Sequence, residues 1–134
     1  MRTRISADLV RGEFVVQIET ISGENLLACN QCGKCSAGCP VAFSMDLLPS
    51  QVLRLAQLGI EEMLGSQTIW TCASCLTCVA RCPKGIDLPR IMEALRQISM
   101  ERGGNCLEVD QVSPEMMGEM PQLALIGGFR KFTT

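Results

Sequence analysis

The clearest periodic pattern in the first half of the chain predicts a helix over Pro49 to Gly59. Its apolar residues Leu48, Val52 and Leu55 recur at spacings of three and four, as one face of a helix requires. A proline near the start and a glycine at the end are common boundaries of such a segment. A shorter helical piece is expected to follow over residues 60–64.

A second helix is predicted from Leu88 to the glycine pair at positions 103–104. Its apolar stripe is formed by four residues at helical spacing: Leu88, Ile91, Leu95 and Ile98. Both helices begin with an aspartate and a nearby proline, in the segments DLLP (46–49) and DLP (87–89). The repeated start indicates that the chain contains two related halves.

The two ends of the chain have different patterns. Glu13 to Ile21, EFVVQIETI, is rich in β-branched residues, which predicts one strand or an extended arm. A turn is expected over residues 22–25. Residues 105–134 are rich in methionine and other apolar residues, which favours a tail folded over its own domain. The alternative is a segment that docks on a partner, because methionine-rich surfaces adapt well to other proteins.

Charge and composition exclude some functions. The 134 residues carry a formal net charge of −2 and include four Phe, one Trp and no Tyr. Without a basic run or an aromatic platform, the chain is not expected to bind nucleic acid. The apolar stretch from Leu123 to Phe129 is too short for a bilayer, which takes about twenty residues. No signal peptide is recognised, so a cytoplasmic protein without a membrane span is expected.

Eight of the nine cysteines lie in two runs with the same spacing. The first run, CNQCGKCSAGCP, contains Cys29, Cys32, Cys35 and Cys39, and the second run, CASCLTCVARCP, contains Cys72, Cys75, Cys78 and Cys82. Each cysteine of the first run lies 43 residues before its counterpart in the second. Both runs have the form C-x2-C-x2-C-x3-C-P, which is typical of bacterial ferredoxins with two iron–sulfur clusters.

This spacing predicts how the thiolates divide between two clusters. Three cysteines at three-residue intervals can surround three corners of a cube-shaped cluster, whereas the fourth, followed by proline, is carried to the other cluster. We therefore expect one [4Fe–4S] cluster on Cys29, Cys32, Cys35 and Cys82, and the second on Cys72, Cys75, Cys78 and Cys39. Such crossed ligands would tie the two halves together.

Zinc is the main alternative, because its sites take four ligands, often as two C-x-x-C pairs. Zinc does not require the third cysteine or the Cys-Pro of each run, so iron–sulfur clusters are favoured. Disulfides are favoured less, since cytosolic thiols are kept reduced. The chain contains no histidine, which excludes Rieske clusters and histidine-ligated haem. It also lacks the glycine loops that bind nucleotides, and no catalytic residue is predicted.

Several residues near the runs have smaller expected roles. Gly33 allows a turn that a side chain would obstruct. Lys34 and Lys84 are either plain exposed cations or residues that adjust a cluster's potential. Trp70 is expected to pack against a cluster and shield it. Cys106, a lone cysteine without a histidine to activate it, is expected to be inert.

These segments together resemble the C subunit of heterodisulfide reductase and its bacterial relatives. The resemblance is carried by CNQCGKCSAGCP, the helix 49–59, IWTCASCLTCVARCPKGIDLP and the following RIMEALRQ, and it covers about residues 22–104. It implies an α-helical ferredoxin, in which the clusters lie between helices. The expected fold class is mainly α, with two cysteine loops between helices and a short N-terminal extended segment. The expected parts are an arm (1–21), a cluster domain (22–104) and a tail (105–134).

The resemblance also implies a function. Such a protein relays electrons in a cytosolic complex between a flavoprotein A subunit and a catalytic B subunit that carries out disulfide or sulfur chemistry. The Cys-Cys-Gly motif of the B subunit and any flavin motif are absent from this sequence, so a non-catalytic electron-transfer subunit is expected. Glycerol-3-phosphate dehydrogenase and fumarate reductase contain a similar helical cluster module, so a relay subunit of such a complex is the alternative. A zinc-stabilised interaction module is favoured less.

Overall fold

The computed structural model describes residues 7–10, 12–102 and 113–131. The chain forms two compact units, Met1–Arg102 and Gly103–Thr134. The helices of the first unit are α1 (Ala7–Val10), α2 (Glu13–Ser22), α3 (Lys34–Ala37), α4 (Pro49–Gln57), α5 (Thr68–Thr71), α6 (Thr77–Arg81) and α7 (Leu88–Arg102), with 3-10 turns at Leu26–Ala28, Ala42–Ser44 and Glu61–Gly65. The second unit contains α8 (Pro114–Glu119) and α9 (Gln122–Lys131). The described residues contain no strand, and the mainly α fold class is confirmed.

The longest helix of the first unit, α7, lies at the centre of its core. All four residues of the predicted stripe are buried: Leu88, Ile91, Leu95 and Ile98. Helices α2 and α5 pack against this helix. At its start the Asp87 carboxylate accepts a hydrogen bond from the Arg90 N–H at 3.2 Å, as a capping residue does. The second predicted helix is therefore confirmed, with Asp87 directly before its first residue.

Helix α4 confirms the first predicted helix, but its buried face differs from the predicted one. Val52 is buried as expected, whereas Leu48 is 39% exposed and Leu55 is only partly buried. Leu53 and Ala56 are buried instead. The helix packs against α2, α3 and two 3-10 turns, so its contacts come from several directions and shift the buried face. The spacing of the leucines alone could not show this.

The segment EFVVQIETI is a helix and not a strand. It forms most of α2, where Phe14, Val15 and Ile18 are buried, and this helix packs against α7. The three residues follow the i, i+1, i+4 spacing of one helical face, and burial of that face outweighs the strand preference of β-branched residues. The helix ends at Gly23, whose φ of 71° lies in the left-handed region that glycine tolerates. For residues 13–21, the prediction of a strand or an extended arm is wrong.

The second unit has short helices with exposed apolar side chains. Leu123 is 83% exposed and Ile126 is 56% exposed, while Met116 on α8 is 51% exposed. Whether this segment docks on a partner stays a prediction, as do the three predicted domain boundaries. Cys106 lies outside the described residues. Within the described part of the chain, no helix has the length and apolar character needed to cross a membrane.

Candidate functional site

The two cysteine runs have the same backbone conformation. Gln31 and its counterpart Ser74 have φ values of 56° and 50°, and Gly33 and its counterpart Leu76 have φ values of 77° and 62°. Each run thus has a left-handed residue immediately before and immediately after its second cysteine. Turns that contain left-handed residues can direct successive N–H groups toward one side and form a concave surface that favours negative charge. The loop shape that a cluster needs is therefore built twice.

The third cysteine of each run lies on a short helix. Cys35 is on α3 and Cys78 is on α6, and these two helices pack against each other. At this junction Gly38 faces the side chain of Arg81, which occupies the space that a Cβ would need. Gly38 and Arg81 are themselves counterparts in the two runs. The two halves thus meet directly behind the cysteine loops.

Two cavities lie beside this junction. The first has a volume of about 420 Å³, and its cysteines are Cys29, Cys32, Cys35, Cys78 and Cys82. The second has a volume of about 360 Å³, and its cysteines are Cys39, Cys72, Cys75 and Cys78. The last cysteine of each run therefore lies beside the first three cysteines of the other run. Cys78 lines both cavities.

The two cavities differ in their remaining walls. The first includes Lys34 and Lys84 together with the polar residues Asn30, Gln31 and Ser50. The second is mostly apolar beyond its cysteines, with Val41, Met45, Leu88 and Met92 among its lining residues. A cluster in the second cavity would consequently have fewer polar neighbours than a cluster in the first.

Backbone amides donate hydrogen bonds to two of the sulfur atoms at the first cavity. The Gln31 N–H donates to Cys29 Sγ at 3.4 Å, and the Ile86 N–H donates to Cys82 Sγ at 3.4 Å. The Gln31 side-chain amide also lies 3.7 Å from Cys29 Sγ. Such donors are among the contacts that set the potential of an iron–sulfur cluster.

The pKa values of three thiols are shifted, each for a local reason. Burial raises the pKa of Cys78 to about 11, and repulsion from Cys72 adds to this. Burial also raises the pKa of Cys35. By contrast, a hydrogen bond with the Thr77 hydroxyl lowers the pKa of Cys75, whose Sγ lies 3.4 Å from Thr77 Oγ1.

The donor set fits iron–sulfur clusters. The eight cysteines of the two runs are all free thiols, and thiolates are the ligands of [4Fe–4S] clusters. Among the described residues, no group of three or more His, Cys, Asp or Glu side chains is arranged to hold a single metal ion. The thiols instead line the walls of the two cavities.

Three residues whose contacts the sequence did not predict position the cysteine loops. On α4, the Gln57 amide donates to the carbonyls of Leu26 and Cys29 at 2.8 and 3.1 Å. On α7, Arg96 donates to the carbonyls of Ile69 and Cys72 at 2.6 and 2.7 Å. Gln57 and Arg96 are polar residues on helices that otherwise pack through their apolar faces. Gln57 and Arg96 do not correspond in the 43-residue repeat, so the repeat did not point to them.

The third of these residues is Asp46. Its carboxylate was expected at the start of α4, yet it accepts hydrogen bonds from the Thr68 hydroxyl at 2.6 Å, the Ser66 hydroxyl at 2.8 Å and the backbone N–H groups of Gln67 and Thr68. The hydroxyl of Thr68 is foremost among the contacts that hold the pKa of Asp46 well below its usual range. Asp46 thereby fastens the loop after Cys39 to the start of α5, the helix that leads into Cys72.

The predicted role of Trp70 is wrong. Its side chain is 52% exposed, and it lines neither of the two thiol cavities. Lys34 and Lys84 both line the first cavity while remaining exposed. An effect of these lysines on a cluster's potential stays a prediction.

Comparison with known proteins agrees with the thiol geometry. Residues 25–86 match a family described as "4Fe-4S dicluster domain". A domain of this kind binds two [4Fe–4S] clusters, and the eight thiols provide the four ligands that each cluster requires. The match favours iron–sulfur clusters over zinc.

The chain is also similar to several curated proteins. It is 33% identical over 111 residues to the iron-sulfur C 2 subunit of the CoB–CoM heterodisulfide reductase of Methanocaldococcus jannaschii, a match that covers 77% of this chain and 60% of the relative. It is 35% identical to the C2 subunit of the H2/formate:CoB-CoM heterodisulfide,ferredoxin reductase of Methanococcus maripaludis, over 59% of this chain and 43% of the relative. With the C subunit of the ferredoxin:CoB-CoM heterodisulfide reductase of Methanosarcina mazei the identity is 29%, over 68% of this chain and 56% of the relative. The chain thus spans roughly half the length of these relatives.

Proposed function

We propose that this chain, which belongs to the family of heterodisulfide reductase C subunits and their relatives, is an electron-transfer subunit of a cytoplasmic heterodisulfide reductase-like complex. The observation that carries the proposal is the pair of adjacent cavities lined by the eight thiols of the two runs. When bound there, [4Fe–4S] clusters accept and release single electrons. The relatives are named as C subunits of heterodisulfide reductases, which favours that type of complex.

The ligand assignment is part of the proposal. One cluster is held by Cys29, Cys32, Cys35 and Cys82, and the other by Cys72, Cys75, Cys78 and Cys39. The placement of Cys82 at the first cavity and of Cys39 at the second supports this crossing. Cys78 borders both cavities, and its place next to Cys75 in the second run assigns it to the second cluster.

The residues around the clusters hold them in place and leave the chemistry of the substrate to other subunits. The left-handed residues shape each loop, and Gln57 and Arg96 fix the first cysteine of each run through its carbonyl. The sequence has no histidine and no Cys-Cys-Gly motif. The partners we propose are a flavoprotein A subunit and a catalytic B subunit, between which this chain relays electrons.

Metal analysis of protein isolated without oxygen tests the central claim. We expect about eight iron and eight sulfide ions per chain, together with EPR signals that appear on reduction. Protein that contains zinc and no iron under these conditions would contradict the proposal. The partners are tested separately by isolating the native complex anaerobically. Recovery of the chain with A and B subunits supports the proposed complex, and its recovery with a glycerol-3-phosphate dehydrogenase or fumarate reductase contradicts it.

A further inference from the structure

The two halves of the chain hold their first cysteine in the same way but with different side chains. Leu26 and Cys29 of the first half correspond to Ile69 and Cys72 of the second, each pair being 43 residues apart. In the first half, one amide nitrogen of Gln57 bridges the carbonyls of Leu26 and Cys29. In the second half, Arg96 Nε donates to the Ile69 carbonyl and its Nη2 donates to the Cys72 carbonyl.

Each pair of carbonyls lies in or directly after a short helical segment, and the Leu26 carbonyl also accepts a hydrogen bond from the Cys29 N–H at 3.3 Å. The 3-10 turn Leu26–Ala28 ends at Cys29, and α5 ends at Cys72. Carbonyls at a helix end lack a donor within the helix and are satisfied by side chains or water. Gln57 and Arg96 provide the donors, so both are positioning residues for a cluster ligand.

The difference between the two side chains is one of charge. Gln57 is neutral and only 5% exposed, whereas the Arg96 guanidinium is charged at every accessible pH. The Arg96 side chain is itself only 17% exposed, and its remaining contact is an ion pair with Glu93 at 2.8 Å. The Glu93 side chain is 70% exposed, so water screens the countercharge more than it screens the guanidinium.

Cations are also present at the first cavity, but they are placed differently. Lys34 and Lys84 line it and are exposed. Arg54, also exposed, donates to the Gln57 side-chain oxygen at 3.4 Å. Water and salt screen such groups strongly. Within the described residues, Arg96 differs from them because its charge is mostly buried and is bonded directly to the backbone of a predicted ligand.

We infer that Arg96 acts as a positioning residue for Cys72 and that its charge raises the reduction potential of the cluster held by the second cysteine run. A reduced cluster carries one more negative charge than an oxidised one, and a nearby partly buried cation favours the reduced form. Gln57 gives the first run the same backbone support without this charge. The inference rests on the proposed ligand assignment of the two clusters.

The test is an EPR-monitored redox titration of the full chain with its clusters, comparing Arg96→Gln with the unaltered protein. Arg96→Gln gives the second half a neutral side chain of the type that Gln57 provides in the first. We expect one of the two midpoint potentials to fall by about 59 mV, which corresponds to about a tenfold change in the one-electron equilibrium constant. The other potential should remain in place. The signal that shifts should be the one that Cys75→Ser also alters.

Two further variants separate the effect of the Arg96 charge from the effect of its hydrogen bonds to the backbone. Arg96→Lys retains the cation and should keep the midpoint potential close to that of the unaltered protein. Glu93→Gln removes the countercharge and should move the same potential upward. Because Glu93 is exposed, this second variant tests the charge even if the changes at Arg96 prevent assembly of the cluster.

Arg90→Gln is the matched control for loss of a positive charge from the same helix. Arg90 also lies on α7, but it pairs with Glu24 and Asp87 and not with a cysteine loop, so neither potential should move. The inference is overturned if Arg96→Gln shifts neither midpoint potential, shifts both, or shifts only the potential of the cluster that Cys75→Ser leaves unaltered. It is also overturned if Arg90→Gln shifts a midpoint potential by as much as Arg96→Gln does. Absence of a shift in Glu93→Gln overturns it as well. Iron and sulfide content distinguishes these outcomes from failure of the proposed function, since about eight of each shows that both clusters are present.

Discussion

At the scale of single residues, Leu76 is the most unusual position in the cysteine loops. Its φ of 62° lies in the left-handed region, which costs a non-glycine residue about 1–2 kcal/mol. Its counterpart in the first run, Gly33, adopts the same conformation without a Cβ. The loop shape is therefore required in both runs, although only one run has the residue best suited to it.

Replacement of Leu76 by glycine is expected to stabilise the protein. Relief of the left-handed backbone cost should exceed the greater freedom that glycine gives the unfolded chain, with a net gain of about 0.5–1 kcal/mol. The gain would appear as a higher urea midpoint under anaerobic conditions. Leu76→Ala is the control, because alanine keeps the Cβ and should not give the gain. Equal stabilisation by alanine would show that the leucine side chain, and not the backbone, was responsible.

Asp46 gives the protein a stability that depends on pH. Hydrogen bonds from Thr68 and Ser66 hold the pKa of its carboxyl below the usual value. The unfolded chain therefore takes up the proton first as the pH falls. The stabilising contribution is complete above the ordinary aspartate pKa of about 4 and is lost as the pH falls below it.

Asp46→Asn is accordingly expected to lower the urea midpoint at pH 7, and the difference from the unaltered protein should narrow below about pH 4. Circular dichroism during urea titration at several pH values measures both effects. Glu62→Gln, a change at an exposed carboxylate, serves as the charge-matched control and should alter the midpoint little. A difference at Asp46 that stays constant down to about pH 3 would contradict the linkage.

At the scale of elements, α2 belongs to the core of the cluster-binding unit. Ile18 on this helix is completely buried, and Phe14 and Val15 lie beside it. The helix packs on α7, which in turn provides Arg96 to the second cysteine run. The N-terminal segment thus supports the site from a distance, although none of its described residues lines either thiol cavity.

Ile18→Ala tests the contribution of α2. Removal of buried methyl and methylene groups should lower the free energy of unfolding by about 2–5 kcal/mol. Val16→Ala on the same helix is the control, since Val16 is 55% exposed and its truncation should cost less than about 0.5 kcal/mol. Denaturant unfolding of the two variants side by side gives the comparison. Similar losses in both would mean that α2 is not anchored as described.

At the scale of the whole molecule, the two cysteine runs depend on each other. Helices α3 and α6 pack together, and the last cysteine of each run lies at the cavity of the other. With crossed ligands, neither cluster can form completely within its own half. The chain should therefore assemble its clusters as one cooperative unit.

Cys39→Ser tests the proposed crossing. The cluster associated with Cys72, Cys75 and Cys78 should be lost or altered, while the cluster nearest in sequence keeps its EPR signal. Cys82→Ser is the reciprocal variant and should affect the cluster of Cys29, Cys32 and Cys35. If each variant instead damages the cluster of its own run, the ligand assignment is wrong.

The sequence by itself determined the cofactor chemistry and the two main helices. Ligand type and spacing are local properties, so two C-x2-C-x2-C-x3-C-P runs predict eight thiol ligands before any fold is known. The apolar stripe of α7 could also be predicted, because its four buried residues recur at the spacing of a single helical face and do not alternate as in a strand.

Only the tertiary structure decided what those elements contact. The segment EFVVQIETI forms a helix that packs on α7 despite its strand preference. Packing energy over a whole helical face exceeds the small intrinsic preferences of its residues. Asp46 bonds to α5 across 22 residues, and Arg96 bonds to Cys72 across 24. Partners so far apart along the chain become neighbours only when the helices pack. The cysteine ligands were thus predicted from the sequence, whereas the groups that hold the cysteine loops in place were determined by the fold.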